Sequence, residues 1–399
     1  MATSRRNSYL RESERQRINK RNNIRNFEIE QVEEVIIHKG KIDPIILLSL
    51  IVLVTFGVIM VFSASYYVGK TNFNDILYFF KRQSAFAVIG FALLPIIISF
   101  DWRIYRNFSR LIFIVSIIFL VLVLFIGKDV KGAKRWIEIG PIQFQPSEVA
   151  KVGLILYLSK FVSDNKNILD TWEGFFRCCF IIAIPTGLVL IENTSTAIIM
   201  GVIGMSIIFV ASPTIKYFVP MVLGGVLGIA GIIIFGDPFR MARVQAWLNP
   251  FAEGVSNDKG YQTVQSLYAI ASGGFFGLGI GQSRQKLGFI PEAQNDIIFS
   301  IICEELGLFG AIIFILLFSM IIWRGYITAI HSPKSYMSYV CVGITTMIAI
   351  QVIINIAVVT NTMPNTGIPL PFVSYGGTSL LIMMSCTGLI LNFSRYFKD

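Results

Sequence analysis

From Pro44 to the C-terminus the chain alternates long apolar runs with short polar joints. About 20 consecutive apolar residues can cross a bilayer as a helix. Ten such runs are read, at 44–65, 82–100, 109–127, 147–163, 176–191, 195–212, 216–235, 296–323, 337–360 and 376–394. The pattern predicts an all-α polytopic membrane protein with about ten transmembrane helices. Two regions depart from it. Residues 236–295 form a large loop between the seventh and eighth spans, in which Trp247, Phe251, Tyr261 and Phe275 alternate with glycines. A connection of that length is usually functional. Within it, DKGYQTVQSLYAIASGG carries Val264, Leu267, Tyr268 and Ala271 at helical spacing, which predicts an interfacial amphipathic helix. Residues 1–41 are polar, rich in Arg and Asn, and lack the apolar centre of a signal peptide. They are expected to be a disordered basic tail on the cytoplasmic side, ahead of a membrane domain at 42–399.

Composition agrees with lipid as the solvent, because only 15% of the residues are charged where soluble domains carry about a quarter. A net charge of +10 would suit nucleic acid, but topology accounts for it more simply and no nucleic-acid partner is expected. With the tail inside, the even-numbered loops hold Arg103, Arg106, Arg110, Lys160, Lys166, Arg177, Lys216, Arg324 and Lys334. That distribution satisfies the positive-inside rule, with both termini cytoplasmic and the large loop extracytoplasmic. The five cysteines lack metal-ligand spacing and read as small buried hydrophobes. His38 and His331, the only histidines, both fall on cytoplasmic segments. An outward Ser-His-Asp triad and an all-histidine zinc site are thereby excluded, leaving carboxylates, lysines and arginines for outward chemistry.

Four stretches supply those groups. In PEAQNDIIFSIICEELG, Asn295 and Asp296 stand just before a long apolar helix. Asp296 reads either as a helix cap or as a general base at the membrane surface, where apolar walls raise a carboxylate pKa and a helix N-terminus lowers it. Glu304 and Glu305, about two turns deeper, are either a polar clasp between helices or substrate or proton groups, since a buried charge needs a partner. In QPSEVAKVGL, Glu148 and Lys151 lie three apart on one helix face, as a local ion pair or with Lys151 receiving a pyrophosphate alongside Lys134 and Arg135. In GGFFGLGIGQSRQKLGF, the glycines allow backbone N–H groups to approach a phosphate or let the loop fold tightly, and Arg240, Arg243, Arg284 and Lys286 bring positive charge. In NTMPNTGIPLPFVSYGGTS, three prolines and three glycines preclude a regular helix, and this irregular backbone is expected to wall the same outward site.

Taken together, KGAKRWIEIG, QPSEVAK, RVQAWLNP, GYQTVQSLYAIASGG, GLGIGQSRQKLGFIPEAQNDIIFSIICEELGLFG and PNTGIPLPFVSYGGTS resemble the SEDS family, the FtsW, RodA and SpoVE group, and the wording leans toward its division and sporulation branch. The resemblance covers about Lys41 to the end. It implies a ten-helix inverting peptidoglycan glycosyltransferase that polymerises lipid II and works with a class B penicillin-binding protein. The family's catalytic aspartate falls on Asp296. Substrate contacts are expected among Lys134, Arg135, Glu148, Lys151, Arg243, Ser283, Lys286, Glu304 and Glu305, with a divalent cation, Mg or Mn, as a possible cofactor. Where relatives carry Q-P-D-L-G-T-A, this chain has I-E-N-T-S-T-A at 191–197, so that Asn193 replaces an acid and Glu192 would have to stand in at any cation. Two other readings compete: a lipid flippase using intramembrane charges, and a scaffold that activates a transpeptidase through a helix packed on the eighth and ninth spans.

Overall fold

A computed structural model describes residues 40–130, 133–140, 142–165, 167–218, 244–252 and 260–397. The tail before Gly40, most of the expected span 216–235, and Arg240 and Arg243 lie outside the described residues. Helices α1 (Pro44–Phe73), α2 (Tyr78–Ser99) and α3 (Trp102–Ile126) are followed by strands β1 (Lys128–Val130), β2 (Ala133–Ile139) and β3 (Ile142–Phe144). Then come α4 (Pro146–Asp164), α5 (Trp172–Glu192), α6 (Thr194–Ala211), α7 (Tyr261–Gly273), α8 (Ile298–His331), α9 (Ser335–Val359) and α10 (Gly377–Ser394). Polar side chains start several of them. Asp43 Oδ1 accepts from the amides of Ile45 and Ile46, and Asp101, Thr171 and Asn193 cap α3, α5 and α6 in the same way. Each cap satisfies amides that the first helical turn leaves orphaned.

Among the described residues, eight helices are long and apolar enough to cross a membrane: α1, α2, α3, α5, α6, α8, α9 and α10. The chain is thus a mostly helical polytopic membrane protein. α4, expected as a span, carries Glu148, Lys151 and Lys160 and is less apolar; it packs against α3, α6 and α9, which cover most of its surface. Short joints make successive helices antiparallel, so the helix ends sort into two groups. The starts of α2, α4, α8 and α10 share one end of the bundle with the β-strands. The starts of α1, α3, α5 and α9 share the other, where Gly40 N–H donates to Arg395 O (2.7 Å). At that second end Arg324 pairs with Asp43, and Arg106 meets Asp164 at 2.5 Å.

Two findings differ from the sequence expectation. The basic loop after α3 is an antiparallel three-stranded sheet, because its β-branched and aromatic residues alternate with polar ones and Gly140, at φ 62°, makes the turn between β2 and β3. Second, α8 is two helices joined at Gly307, whose φ of 67° and ψ of −170° only glycine adopts readily. Broken backbone within a membrane span needs partners, and the loop after α7 provides them. Leu278 and Gly279 donate to the carbonyls of Glu304 and Glu305, while Leu308 and Phe309 donate to those of Gly274 and Phe275.

The amphipathic helix forms as α7, with a rotated face. Val264, Ser266, Ala269 and Gly273 are buried, whereas Tyr268 and Ala271 are exposed. Small residues are selected here because α7 crosses α8 closely: a Cβ on Gly273 would lie 2.0 Å from Cys303 O. Four of the five cysteines are buried and all are free, in keeping with their reading as small hydrophobes.

Candidate functional site

Asp296 lies on the irregular segment between α7 and α8, half-buried, with exposed Pro291 and Glu292 nearby in sequence. It is not the cap of α8. Ile297 holds that position with no side-chain hydrogen bond, because the helix starts at Ile298 and the carboxylate belongs to the preceding turn. Its backbone is fixed instead: Asn355 Nδ2, on α9, donates to Asp296 O (2.6 Å) and to Ile368 O (2.8 Å). The loop 361–376 forms the facing wall, as anticipated. Gly367 comes so near that a Cβ there would be 3.8 Å from Asp296 Oδ2, and Tyr375 N–H donates to Gln294 O (2.9 Å). Gln294 Oε1, Asn355 Oδ1 and Thr366 Oγ1 are buried and have no partner among the described residues. Buried acceptors without partners are uncommon and call for a reason. Sequence reading did not single out Gln294, Asn355 or Thr366; a lone amide on an apolar helix, as Asn355 is, gives no signal until the fold brings it to the aspartate. Burial pushes the Tyr375 phenol above its ordinary value, against an opposing hydrogen bond from Arg82.

The same wall continues to the second cluster. Glu148 and Lys151 form the local pair foreseen from their spacing, at 2.7 Å, with Lys151 only 1% exposed. Ser379 Oγ donates to Glu148 Oε2 (3.5 Å) and Thr378 Oγ1 to Gln143 O (3.0 Å), so α10 joins α4 and β3. Residues 374–379 thus connect the Asp296 segment with the Glu148–Lys151 pair. Gln83 secures this link from α2, donating to Ser374 O and accepting from Gly376 N–H.

Arg135 Nε donates to Glu192 O (2.8 Å). With Gln145, Ser147, Glu192 and Asn193 it lines a cavity of about 20 Å³, large enough for roughly one water. Asn193 is the cap of α6. Lys134 sits in register with Asp129 on the sheet, and its side chain is outside the described ones, as is all of Arg243.

The remaining expected residues assemble elsewhere, as a buried cluster at the break in α8. Glu305 Oε1 accepts from Lys286 Nζ (2.8 Å), Ser63 Oγ (2.6 Å) and the Ser283 amide (3.4 Å), and its Oε2 accepts from Gly281 N–H (2.9 Å). Glu304 Oε1 accepts from the amides of Arg284 (2.9 Å) and Gln285 (3.4 Å), and its Oε2 from Ser283 Oγ (2.5 Å). The glycine-rich turn is therefore an anion cradle, as its composition suggested, but the anions are the protein's own carboxylates. Glu304 and Glu305 are thus held by the 281–286 turn and by Ser63 of α1. Ser283, Lys286, Glu304 and Glu305 are each at most 5% exposed and face one another.

The fold and this polar end define an integral membrane protein with an acid held at the mouth of a helix bundle. Residues 44–399 match the family model described as a cell cycle protein, FtsW/RodA/SpoVE. The chain belongs to that family. It is 42% identical over 360 residues to stage V sporulation protein E of Bacillus subtilis (strain 168), covering 89% of this chain and 98% of that protein. It is 35% identical over 362 residues to a probable peptidoglycan glycosyltransferase FtsW of Geobacter sp. (strain M18), covering 89% and 97%. Among solved structures, a chain described under structural coordination of polymerization and crosslinking by a peptidoglycan synthase complex superposes with a TM-score of 0.74 at 24% identity, covering 90% of this chain and 99% of that one. Thermus thermophilus rod shape determining protein RodA superposes at 0.67 and 24% identity, covering 90% and 98%.

Proposed function

We propose that this chain is an inverting peptidoglycan glycosyltransferase that polymerises lipid II on the extracytoplasmic side of the cell membrane, with Asp296 as the general base. The observation that carries the proposal is the carriage of Asp296: its main chain is pinned by Asn355, its carboxylate faces the 361–376 wall, and unpartnered oxygens and a buried Glu148–Lys151 pair lie along the same wall. Charge supports that sidedness. Arg103, Arg106, Arg110, Lys160, Arg177, Arg324 and Lys334 gather at the end opposite Asp296, and positive loops stay in the cytoplasm.

In the reaction, Asp296 takes the proton of the acceptor sugar's 4-hydroxyl as that oxygen bonds to the anomeric carbon of the donor. The anomeric carbon–oxygen bond to the lipid pyrophosphate breaks and the pyrophosphate departs with the electron pair. No protonating acid is needed for such a leaving group; positive charge suffices. Lys134, Arg135 and Arg243 are assigned to it, whereas the ammonium groups of Lys151 and Lys286 already neutralise buried carboxylates and act on the local potential. The unpartnered oxygens of Gln294, Asn355 and Thr366 are of the donor type a divalent cation, Mg or Mn, takes, and such a cation would supply charge neutralisation at phosphate.

Phe309, Ile312, Leu316, Met320 and Trp323 leave one side of α8 exposed. Such a stripe suits the single membrane helix of a class B penicillin-binding protein, our reading of the partner. The test is polymerisation of purified lipid II in detergent by wild type and Asp296→Asn, with and without Mg or Mn. Glycan strands from wild type and none from a folded Asp296→Asn are expected. Equal activity of the two would overturn the role of Asp296, and a wild type that only moves lipid II between leaflets would favour the flippase.

A further inference from the structure

Asp296 sits between two points that the buried cluster ties together. Lys286 and Glu305 are 19 residues apart and meet at 2.8 Å, so their ion pair closes a loop that displays Asp296. Ser63 of α1 completes the closure: it accepts from Lys286 Nζ at 2.9 Å and donates to Glu305 at 2.6 Å. The intervening backbone is mostly irregular until α8 begins. Gly288 and Glu292 have positive φ, and Leu287, Gly288, Phe289, Pro291 and Glu292 are exposed. Backbone hydrogen bonds from Ile290 to Gln285 and from Asn295 to Glu292 turn it back on itself. The position of the carboxylate therefore depends on where the two ends are held. Asn355 and Tyr375 hold the later part; the start is held on α8 by the Arg284 and Gln285 amides at Glu304, and tied to both α1 and α8 by the Lys286–Glu305–Ser63 closure.

A buried ion pair is a poor way to gain stability alone, since apolar residues of similar volume often do as well. What it adds is direction. Two carboxylates and one ammonium leave an excess negative charge, which is met by the amides of Gly281, Ser283, Arg284 and Gln285. Those amides converge only when the turn has one shape, so the cluster specifies a geometry that apolar packing would leave loose.

We propose that Lys286, Glu305 and Ser63 are positioning residues that set where the Asp296 carboxylate stands in the glycosyl-transfer site. This rests on the reading of Asp296 as the base. The experiment uses the full chain, lipid II as substrate, and kcat, KM and melting temperature for Lys286→Met, Ser63→Ala, Lys286→Arg and the double change Lys286→Met/Glu305→Gln, with Asp296→Asn alongside. Misplacing a reacting group by about 1 Å costs roughly 100-fold. Lys286→Met is expected to lose kcat on that scale with KM little changed, and Ser63→Ala, the mildest change, to lose part of it without unfolding. Lys286→Arg keeps the pair and restores activity. The double variant removes both charges, so its melting temperature recovers while kcat stays low. A purely structural cluster gives a different pattern, kcat tracking melting temperature across all variants, and that result overturns the proposal. Full activity in folded Lys286→Met overturns it too. Activity in Asp296→Asn sinks the reading of the base itself, independently of the closure.

Discussion

Gly307→Ala tests the construction of the site more severely than any change to a polar group, because it adds one methyl to a helix that is already broken. The new Cβ would lie 2.3 Å from Gly277 N and 2.6 Å from both the carbonyl carbon and oxygen of Phe275, all backbone atoms that cannot rotate away. A non-glycine residue at this φ and ψ costs about 1–3 kcal/mol. Parting the loop from α8 also loses the four hydrogen bonds from Leu278, Gly279, Leu308 and Phe309, each worth about 1 kcal/mol net and more where no water can replace it. The expected loss is about 5–7 kcal/mol, a large share of a typical total stability. The assay is thermal unfolding in detergent, with Gly187→Ala and Gly201→Ala as controls. Those two glycines lie inside α5 and α6 with nothing within 4 Å of an added Cβ, so alanine there is neutral or stabilising by up to about 1 kcal/mol. Should Gly307→Ala melt with the controls, the broken helix and its loop do not pair as described.

Asn355→Leu strips the donor from the carbonyls of Asp296 and Ile368 and should cost about 1–3 kcal/mol per orphaned group, with polymerisation falling more than the melting temperature. Asp43→Ala removes the cap of α1 and the partner of Arg324; a loss of about 3–5 kcal/mol is expected from the buried carboxylate pair, read by thermal unfolding. Gly57→Ala should also destabilise, since its Cβ would meet Phe372 O at 2.6 Å, and a suppressor at 370–374 would identify the contact. At the exposed joint after α1, hydrogen bonds from Lys81 and then from the Leu77 amide hold the Asp75 carboxyl below its ordinary value. A depressed folded-state pKa gives stability present above the unfolded value and lost as pH falls through the folded one, and Lys81→Met should raise the Asp75 titration midpoint.

Several site features were legible in the sequence. The spacing of Glu148 and Lys151 implied their pair, and the prolines and glycines of 361–379 implied an irregular wall. The pairing of Asp296 with a helix cap did not hold, because cap statistics cannot say whether the helix starts one residue later. Glu304 and Glu305 stood out as expensive charges, and Lys286 and Ser283 were among the residues expected near the site, but the four amides and Ser63 that complete their satisfaction are invisible to side-chain patterns.

Hydrophobic periodicity determined the class of this protein and the places of most of its long helices, because lipid solvation acts on each segment separately. Tertiary structure alone decided that α8 is broken at Gly307, that the glycine-rich turn embraces carboxylates of its own chain, and that Asn355 and Gly367 come to Asp296. Those outcomes depend on backbone hydrogen bonds and close approaches between residues far apart in the chain, and such terms have no period to read.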